Sequence, residues 1–462
     1  MSRSVAAVGT GRTPVAVAKY AAAAIIPAAV GVWLWFAANP QTGKSVALIL
    51  FALALWTTEI IPRTLAALIV LILEPLLHLL PVNDFMQPFG SPILWMFVAT
   101  FIIGAAFQHS GVSDALAATV LRHSRSGPRL ALNLVVLYAA AAVAIPNSLA
   151  RVAVLLPVME AIDRSGRFPN ARRFLYLSLA FSSTVVGTLA MTSSNSSIYA
   201  AGLLAPLLHH SLSYWQWLGA FGPPDVLLLL VIHVILYLKY PFQVAAAGAG
   251  PQPARQRWTR RQAKLGLLAL LTFVGWSLSR QIGLSVAYIT FAAAIVMVLP
   301  RIGVISWAEG FRAIDWSTTL FFGATLTIPE VLQVSHVTPA IVHEAIALTG
   351  TGTVQLVLAV ALATFVLRMA LFNAVTLTAT ELPLIVEVAR HAQSSLVLLS
   401  VLTIAIASLG LVLPVQSPGS LRVYALDRYS LRDYMTTGLL VSVMALALLT
   451  VTALTYWGRV LT

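Results

Sequence analysis

Two asparagines lie at the centre of two matching segments of the chain, and each is followed by a proline ten residues later. The first segment reads IPNSLARVAVLLPVMEAIDR over residues 145–164, and the second reads LFNAVTLTATELPLIVEVAR over residues 371–390. Asn147 and Asn373 each interrupt a long apolar stretch. A helix that begins after such a break directs free N–H groups and about half a positive charge at it. The chemistry that this pattern favours is the binding of an anion.

Two further pairs of segments match at nearly the same spacing. MTSSNSS at residues 191–197 aligns with QSPGSLR at residues 416–422, and residues 93–111 align with residues 318–336. A duplicated membrane protein in which both halves contain interrupted hydrophobic segments is typical of a secondary transporter. Polar and small side chains gather at these breaks, and the predicted substrate-binding residues are Asn147, Ser148, Arg151, Thr192, Ser193, Asn195, Asn373, Ser417, Pro418 and Ser420.

Three ionisable residues lie near the two asparagines. Arg151 follows Asn147 by one helical turn, where a guanidinium would either pair with a substrate carboxylate or reach the cytoplasmic interface. Glu381, which stands where the first segment has Leu155, would either carry a proton or be solvated at the surface. Arg368 is a candidate partner for Glu381 or for the substrate. Because charges inside a membrane usually serve function, all three are candidates.

The composition places the chain in a lipid bilayer. Hydrophobic residues make up 59% and charged residues 9% of the sequence, whereas a soluble domain has about a quarter charged residues. The chain contains no cysteine, which excludes disulfides and thiolate metal sites. Its histidines lack metal-ligand spacing, so no metal and no cofactor is expected. No motif of an enzyme or an ATPase occurs in a fitting context, so the chain is not expected to be an enzyme.

The predicted fold is an all-α polytopic membrane protein with about eleven transmembrane helices. Two apolar regions, 128–164 and 353–389, are broken in the middle and have arms too short to cross comfortably, so they are predicted to be re-entrant hairpins. Stretches 173–203 and 394–428 are predicted to be broken helices. The eleven spans fall at about residues 20–38, 45–61, 64–81, 92–108, 173–203, 225–241, 265–279, 283–300, 317–334, 394–428 and 435–457.

The basic residues predict the orientation of the chain. With the amino terminus inside, the cytoplasmic loops receive most of the arginines, while the outside receives little beyond Lys44, Arg280 and Arg390. This is the positive-inside rule, so the net charge of +13 requires no nucleic-acid partner. We therefore expect a multi-pass protein of the plasma (inner) membrane with a cytoplasmic amino terminus and an outside carboxyl terminus.

Four regions follow from these spans. Residues 1–44 form a cytoplasmic tail and a first helix outside the repeat, 45–242 the first repeat, 243–264 a basic cytoplasmic linker and 265–462 the second repeat. Five crossings separate matched helices of the two halves, and an odd number inverts their orientation. The halves are therefore predicted to be inverted-topology repeats.

Several strings of the chain resemble the divalent anion/sodium symporter family, the carriers of dicarboxylates, citrate and sulfate. The strings are TTEIIP (57–62), GAAFQHSG (104–111), PNSLARVAVLLP (146–157), GTLAMTSSNSSIYAAGLL (187–204), FRAIDWSTTLFFGA (311–324) and LPVQSPGS (413–420). The resemblance runs from about residue 45 to the end. In that family a Ser-Asn-Thr triplet lies at each hairpin tip. Here the triplets fall on 147–149 and 373–375.

The resemblance implies an elevator-type transporter that is a homodimer through its scaffold helices. It also implies two sodium sites built from side-chain oxygens and backbone carbonyls, and the positions that would serve ion or proton coupling are Ser148, Gly187, Thr376 and Glu381. The second triplet keeps only one polar side chain of three, which argues against sodium as the coupling ion. Arg151 would then stand where the family holds a sodium ion. Glu59 is shared with the family, but its place beside Pro62 favours a role in packing.

Three functions remain open on sequence alone. The leading one is transport of a small anion, most plausibly a di- or tricarboxylate. The second is cation/proton antiport on the same fold, with Glu381 as the carrier. The third is a non-transporting receptor or assembly protein derived from the fold, which would suit the eroded second triplet.

The predicted orientation is testable with single cysteines, because the chain has no native cysteine. In Gln252→Cys the thiol lies in the linker and should resist an impermeant maleimide in intact cells, but react in inverted vesicles. Arg280→Cys, in a predicted outer loop, should show the opposite pattern. Labelling of Gln252→Cys in intact cells would contradict the topology.

Overall fold

The computed structural model describes residues 27–35, 37, 40–58, 60–207, 212–245, 258–328, 330–331, 346–370 and 374–460. All regular structure in these residues is helical, which agrees with the predicted all-α class. Residues 27–35 are helical. The helices that follow in the first half are α1 Pro40–Thr58, α2 Arg63–Leu76, α3 Pro92–His109, α4 Val112–His123, α5 Gly127–Ala144, α6 Ser148–Arg164, α7 Arg172–Val185, α8 Asn195–Leu207 and α9 Tyr214–Lys239.

The second half of the chain is also helical throughout the residues described. Its helices are α10 Arg260–Leu278, α11 Val286–Val298, α12 Trp307–Arg312, α13 Trp316–Thr325, α14 Thr353–Ala370, α15 Ala374–His391, α16 Leu396–Ala407, α17 Pro418–Tyr424 and α18 Leu431–Thr452. A π-helical turn, Ala453–Trp457, extends α18.

Hydroxyl side chains begin many of these helices. Ser126 caps α5, Ser285 caps α11, and Ser213, Thr259 and Ser430 form capping boxes at α9, α10 and α18. A cap satisfies N–H groups that have no partner within the helix. The chain therefore ends and restarts helices without leaving these donors unpaired.

Within the part of the chain that the structure describes, four helices are long and apolar enough to cross a membrane, and they are Pro92–His109, Gly127–Ala144, Tyr214–Lys239 and Leu431–Trp457. Further apolar helices in the described residues are shorter, among them Val286–Val298 and Leu396–Ala407. The predicted total of eleven crossings stays a prediction.

The predicted hairpins and broken helices correspond to interrupted pairs of helices. α5 and α6 are joined through residues 145–147, and α14 and α15 flank residues 371–373, which lie outside the described part. Residues 186–194 separate α7 from α8, and residues 408–417, which include a 3-10 turn at Pro414–Gln416, separate α16 from α17. Re-entry of either hairpin into the membrane stays a prediction.

Contacts between the halves occur in matched pairs. α6 of the first half packs against α17 of the second, and α15 of the second half packs against α8 of the first. Within each half, α6 packs on α7 and α15 packs on α16. The interruptions of both halves therefore come together in the interior of the protein.

Candidate functional site

A cavity of about 360 Å³ lies where these interruptions meet. Its walls come from the turn between α5 and α6, both helix breaks, α13 and the junction between α14 and α15. Most of the lining side chains are polar, and a few are aromatic or aliphatic. The lining residues include Asn147, Ser148, Thr184, Gly187, Ser194, Asn195, Ser196, Asp315, Thr318, Phe321, Phe322, Arg368, Ala374, Gln416, Ser417 and Pro418.

Three of the longer helices in the described part of the chain begin at the cavity wall. They are α6, α8 and α15, of 17, 13 and 18 residues, and their first residues Ser148, Asn195 and Ala374 line the cavity. The seven-residue helix α17 also begins there, at Pro418. The first N–H groups of a helix have no intrahelical acceptor and carry a partial positive charge. Three such ends directed at one space favour a negatively charged ligand.

Asn147 shapes the first of these ends. Its φ of +90° lies in the left-handed half of conformational space, which asparagine tolerates better than most residues. Its side-chain oxygen accepts hydrogen bonds from the backbone N–H groups of Leu149 at 2.9 Å and Ala150 at 3.4 Å. Its amide nitrogen Nδ2 is buried without a partner in the described structure. That nitrogen is a free donor at the wall of an anion-attracting cavity.

Arg151 is fully buried behind this wall. Its Nη1 donates to the carbonyl of Ser193 at 2.9 Å and to that of Ile145 at 3.4 Å. Its Nη2 donates to the carbonyl of Ser183 at 2.9 Å and to the Ser148 hydroxyl at 3.4 Å. One guanidinium thus joins the hairpin turn, the end of α7 and the first helix break. Arg151 is not among the residues that line the cavity, so the predicted direct pairing with substrate is not what this structure shows.

Arg368 plays a similar part at the second break. It is 1% exposed and lines the cavity, and its Nη2 donates to the carbonyl of Gln416 at 2.9 Å. The Gln416 amide returns a hydrogen bond to the Arg368 carbonyl at 3.3 Å. A Cβ at position 410 would clash with Arg368 Nη2, so only glycine permits this approach. Each break is therefore held by one arginine.

Hydroxyl groups connect the two breaks across the halves of the chain. Thr184, at the end of α7, lies 3.0 Å from the Ser417 hydroxyl and 3.1 Å from the Ser420 hydroxyl. Ser420 also donates to the Ala180 carbonyl at 3.0 Å. The cavity is consequently built by both halves together.

The structure separates the predicted site residues into three groups. Those that line the cavity are Asn147, Ser148, Gly187, Asn195, Ser417 and Pro418. Those buried outside its wall are Arg151, Thr192, Ser193, Ser420, Thr376 and Glu381. Asn373 lies outside the described residues. Glu59, for which a packing role was expected, and the histidines His209, His210, His336 and His343, which were not expected to bind metal, also lie outside them.

Glu381 is buried in α15, and the contacts described for it do not include Arg368. Its Oε1 accepts a hydrogen bond from the Thr364 hydroxyl at 2.6 Å, and its Oε2 has no partner in the described structure. Its exposed fraction is 6%, so the alternative of a solvated surface carboxylate is not what the structure shows.

Several cavity residues were not among the predicted ones. Thr184, Ser194, Ser196, Asp315, Thr318 and Gln416 line the wall. Gln416, Asp315 and Thr318 belong to strings that resemble the family, and Ser194 and Ser196 belong to MTSSNSS, so a signal existed for these five. Thr184 lies in the apolar run before Gly187, and its role depends on the meeting of the two halves. Among the described residues no cluster of three or more metal-ligating side chains occurs.

The fold and the cavity define a helical membrane protein whose broken helices enclose an anion-attracting space. A family model described as the sodium:sulfate symporter transmembrane region matches residues 15–462. The chain belongs to this family of transporters, and it is not an enzyme.

Similar proteins of this kind come from plants and bacteria. One is the chloroplastic dicarboxylate transporter 1 of Spinacia oleracea, which is 24% identical over 66% of this chain and 57% of that protein. Another is the sodium-dependent dicarboxylate transporter SdcS of Staphylococcus saprophyticus, which is 19% identical over 87% of this chain and 84% of that protein. Among solved structures, the YdaH transporter of Alcanivorax borkumensis has a TM-score of 0.56 at 13% identity, covering 82% of this chain and 90% of that chain. This last likeness concerns the fold.

The meeting of the two breaks is testable by cross-linking. Thr184→Cys combined with Ser420→Cys should form a disulfide on mild oxidation, because the native hydroxyls lie 3.1 Å apart. With a protease site engineered into the linker, the two halves should then stay joined on a non-reducing gel after cleavage. Each single-cysteine variant serves as a control and should separate into two halves. Separation of the double variant would contradict the geometry.

Proposed function

We propose that this protein is a secondary active transporter of a small anion, most plausibly a di- or tricarboxylate. The observation that carries the proposal is the convergence of three helix amino-terminal ends on one polar cavity that Arg368 also lines. The names of two relatives, both dicarboxylate transporters, support the choice of substrate.

The donors around the cavity suit a carboxylate. The Asn147 amide, the Ser148 and Ser417 hydroxyls and the first N–H groups of α8 offer hydrogen-bond donors from both halves of the chain. A dicarboxylate carries a charge at each end, so the donors of each half would take one carboxylate. Phe321 and Phe322 on α13 offer apolar surface for the carbon chain between them.

The first hairpin tip does not fit a sodium ion. Sodium would require the carbonyl oxygens of the turn and the break, and Arg151 already binds those of Ile145, Ser183 and Ser193. A guanidinium is always charged, so it supplies there the positive charge that a bound cation would bring. We therefore propose transport without sodium, with Arg151 and Arg368 as fixed charges near the substrate.

The proposed mechanism is of the elevator type. α5 to α9 and α14 to α18 form the moving body, since these helices hold the turn and both breaks, and α13 completes the cavity wall from the scaffold. α1 to α3 and α10 to α13 are the proposed scaffold, through which two copies would form the homodimer that the resemblance implies. The cavity would face the two sides of the plasma membrane in turn.

Cation/proton antiport through Glu381 receives less support. Glu381 does not line the cavity, and in the described residues its known contact is the Thr364 hydroxyl. Among the described lining residues the carboxylate is Asp315, and both of its oxygens already accept hydrogen bonds from Thr318. The Arg368 guanidinium at the same wall disfavours a cationic substrate.

Uptake into proteoliposomes tests the function directly. With labelled succinate, citrate and sulfate presented separately, we expect uptake of at least one di- or tricarboxylate, competed by the unlabelled anion. The rate should persist when choline replaces sodium, because no step depends on sodium. Strict dependence on sodium would overturn the fixed-charge mechanism, and absence of uptake of all three anions would overturn the function.

Removal of the Arg151 charge should impair transport. Arg151 holds the turn and the first helix break through its hydrogen bonds to Ile145, Ser183 and Ser193. A charge-assisted hydrogen bond contributes about 1.5 to 3 kcal/mol, so the loss of these bonds in Arg151→Gln should displace the cavity wall and weaken the apparent affinity by roughly 10- to 150-fold, or abolish uptake. Arg151→Lys should retain part of the activity. Arg164→Gln is the matched control, because Arg164 is exposed and pairs with Glu160, and it should transport as the wild type does. Folding is followed by size-exclusion chromatography, and normal transport by Arg151→Gln would refute the role.

A further inference from the structure

Asp225 is a buried carboxylate that the proposed mechanism leaves without a role. It lies in α9, directly after Pro223 and Pro224, and its exposed fraction is 3%. The side chain forms no ion pair within the described part of the chain. An unpaired carboxylate in the interior of a membrane protein is costly and is usually retained for function.

The hydrogen-bond partner of Asp225 lies in the first helix break. Its Oδ2 lies 2.8 Å from the Thr188 hydroxyl. Thr188 is itself buried and follows Gly187, which lines the cavity. The Thr188 carbonyl accepts a hydrogen bond from the Trp217 indole at 2.8 Å, which ties the same residue to α9 a second time. Asp225 is thus attached to the segment whose other side is held by Arg151 through Ser183 and Ser193.

The Thr188 hydroxyl can serve Asp225 in both protonation states. With Asp225 ionised, the hydroxyl hydrogen points to Oδ2. With Asp225 protonated, the carboxyl donates to the hydroxyl oxygen, and the hydroxyl turns to the Val185 carbonyl, 3.4 Å away. One proton is thereby gained or lost without leaving a buried donor unpaired.

Glu74 and Glu381, the other buried carboxylates among the described residues, differ in this respect. Glu381 meets the Thr364 hydroxyl, for which the described residues offer no second acceptor. Glu74 meets the Thr327 hydroxyl, which can turn to the Ala324 carbonyl, but this pair joins α2 to the end of α13 and touches neither break. Of these three carboxylates, Asp225 alone has both features: its threonine hydroxyl can either donate or accept, and that threonine belongs to a segment that lines the cavity.

The titratable groups described on the helices packed against α9 make their contacts with residues other than Asp225. Tyr138 on α5 contacts His233, two helical turns beyond Asp225 in α9. On α18 the Asp433 carboxylate contacts Tyr240, and the Tyr456 hydroxyl donates to the Gly219 carbonyl. The remaining charged groups on these helices lie near the helix ends, and they are Arg129 on α5, Arg172 and Arg173 on α7, Lys239 on α9, Arg260, Arg261 and Lys264 on α10 and Arg432 on α18. Several have their own contacts, namely Arg172 with Asp163, Arg173 with Asp433, Lys239 with Thr436 and Thr437, Arg261 with Val304 and Lys264 with Arg301.

We infer that Asp225 is a proton-binding site that couples anion transport to the proton gradient by symport. The inference rests on the proposed transport function and adds the coupling ion. A substrate dianion near Gly187 disfavours a second negative charge beyond the break, so anion binding promotes protonation of Asp225. Because such coupling is reciprocal, protonation promotes anion binding. The proton comes from water on the side where the anion enters, binds a carboxylate oxygen of Asp225, and leaves to water on the side where the anion is released.

Proteoliposomes with an internal pH dye and external labelled succinate test this coupling. In the wild type, succinate uptake should rise as the external pH falls from 8 to 6 and should acidify the interior. Asp225→Asn keeps a hydrogen-bond donor toward Thr188 but cannot titrate. It should retain succinate counterflow, while its uptake loses the pH dependence and its acidification falls to that of empty liposomes. Glu74→Gln and Glu381→Gln are matched controls, since each removes a buried carboxylate that accepts from a threonine, and both should still acidify the interior.

The possible outcomes separate the inference from the function on which it rests. Wild-type succinate uptake without acidification, or acidification by Asp225→Asn, would overturn the inference and leave the transport function standing. Loss of acidification in Glu381→Gln but not in Asp225→Asn would overturn it as well. If Asp225→Asn shows no counterflow, Asp225→Glu decides: acidification with a shifted pH midpoint supports the inference, and an unshifted midpoint overturns it. Absence of wild-type succinate uptake would count against the proposed dicarboxylate transport itself.

Discussion

The interior of this protein depends on how it satisfies the backbone groups that its broken helices leave open. Within a bilayer no water is available to bind a free carbonyl, so each interruption must find partners inside the protein. Arg151 supplies donors to three carbonyls at once, and Arg368 binds the carbonyl of Gln416 at the other break. The same irregular backbone that opens helix ends toward a ligand is stable because a side chain closes its other side.

This arrangement divides the positive charge of the site between two kinds of source. Helix ends face the cavity directly, whereas the Arg151 guanidinium lies one layer behind the wall and is anchored to backbone. Because the Arg151 guanidinium is part of the protein, this charge does not bind and dissociate with the ligand as a coupling cation would. Specificity can then reside in the hydroxyl and amide groups of the wall, which are free to exchange partners.

The sequence allowed the main features of the site to be predicted and left others hidden. Asn147, Asn195 and Ser417 were predictable because a polar residue that interrupts an apolar run in a membrane segment is costly unless it binds something, and all three line the cavity. The contacts of Arg151 were not predictable, because its acceptors are backbone carbonyls, which carry no residue signature. Asp225 was missed because the long apolar stretch of α9 looks like an ordinary span. Its partner Thr188 lies 37 positions away, and only the packing of α9 on α7 joins them.

The distribution of contacts between the halves bears on how the protein is made. All described acceptors of Arg151 lie between residues 145 and 193, so the first half can satisfy the hydrogen bonds of this guanidinium while the ribosome is still synthesising the second. The hydroxyls of Ser417 and Ser420, by contrast, meet Thr184 only at the end of synthesis. The hydrogen bonds of Arg151 can therefore form before the second half is made, whereas the cavity is completed only when Ser417 and Ser420 reach Thr184. A chain that stops before residue 417 would leave an inserted half without a working site, which is a natural substrate for membrane quality control.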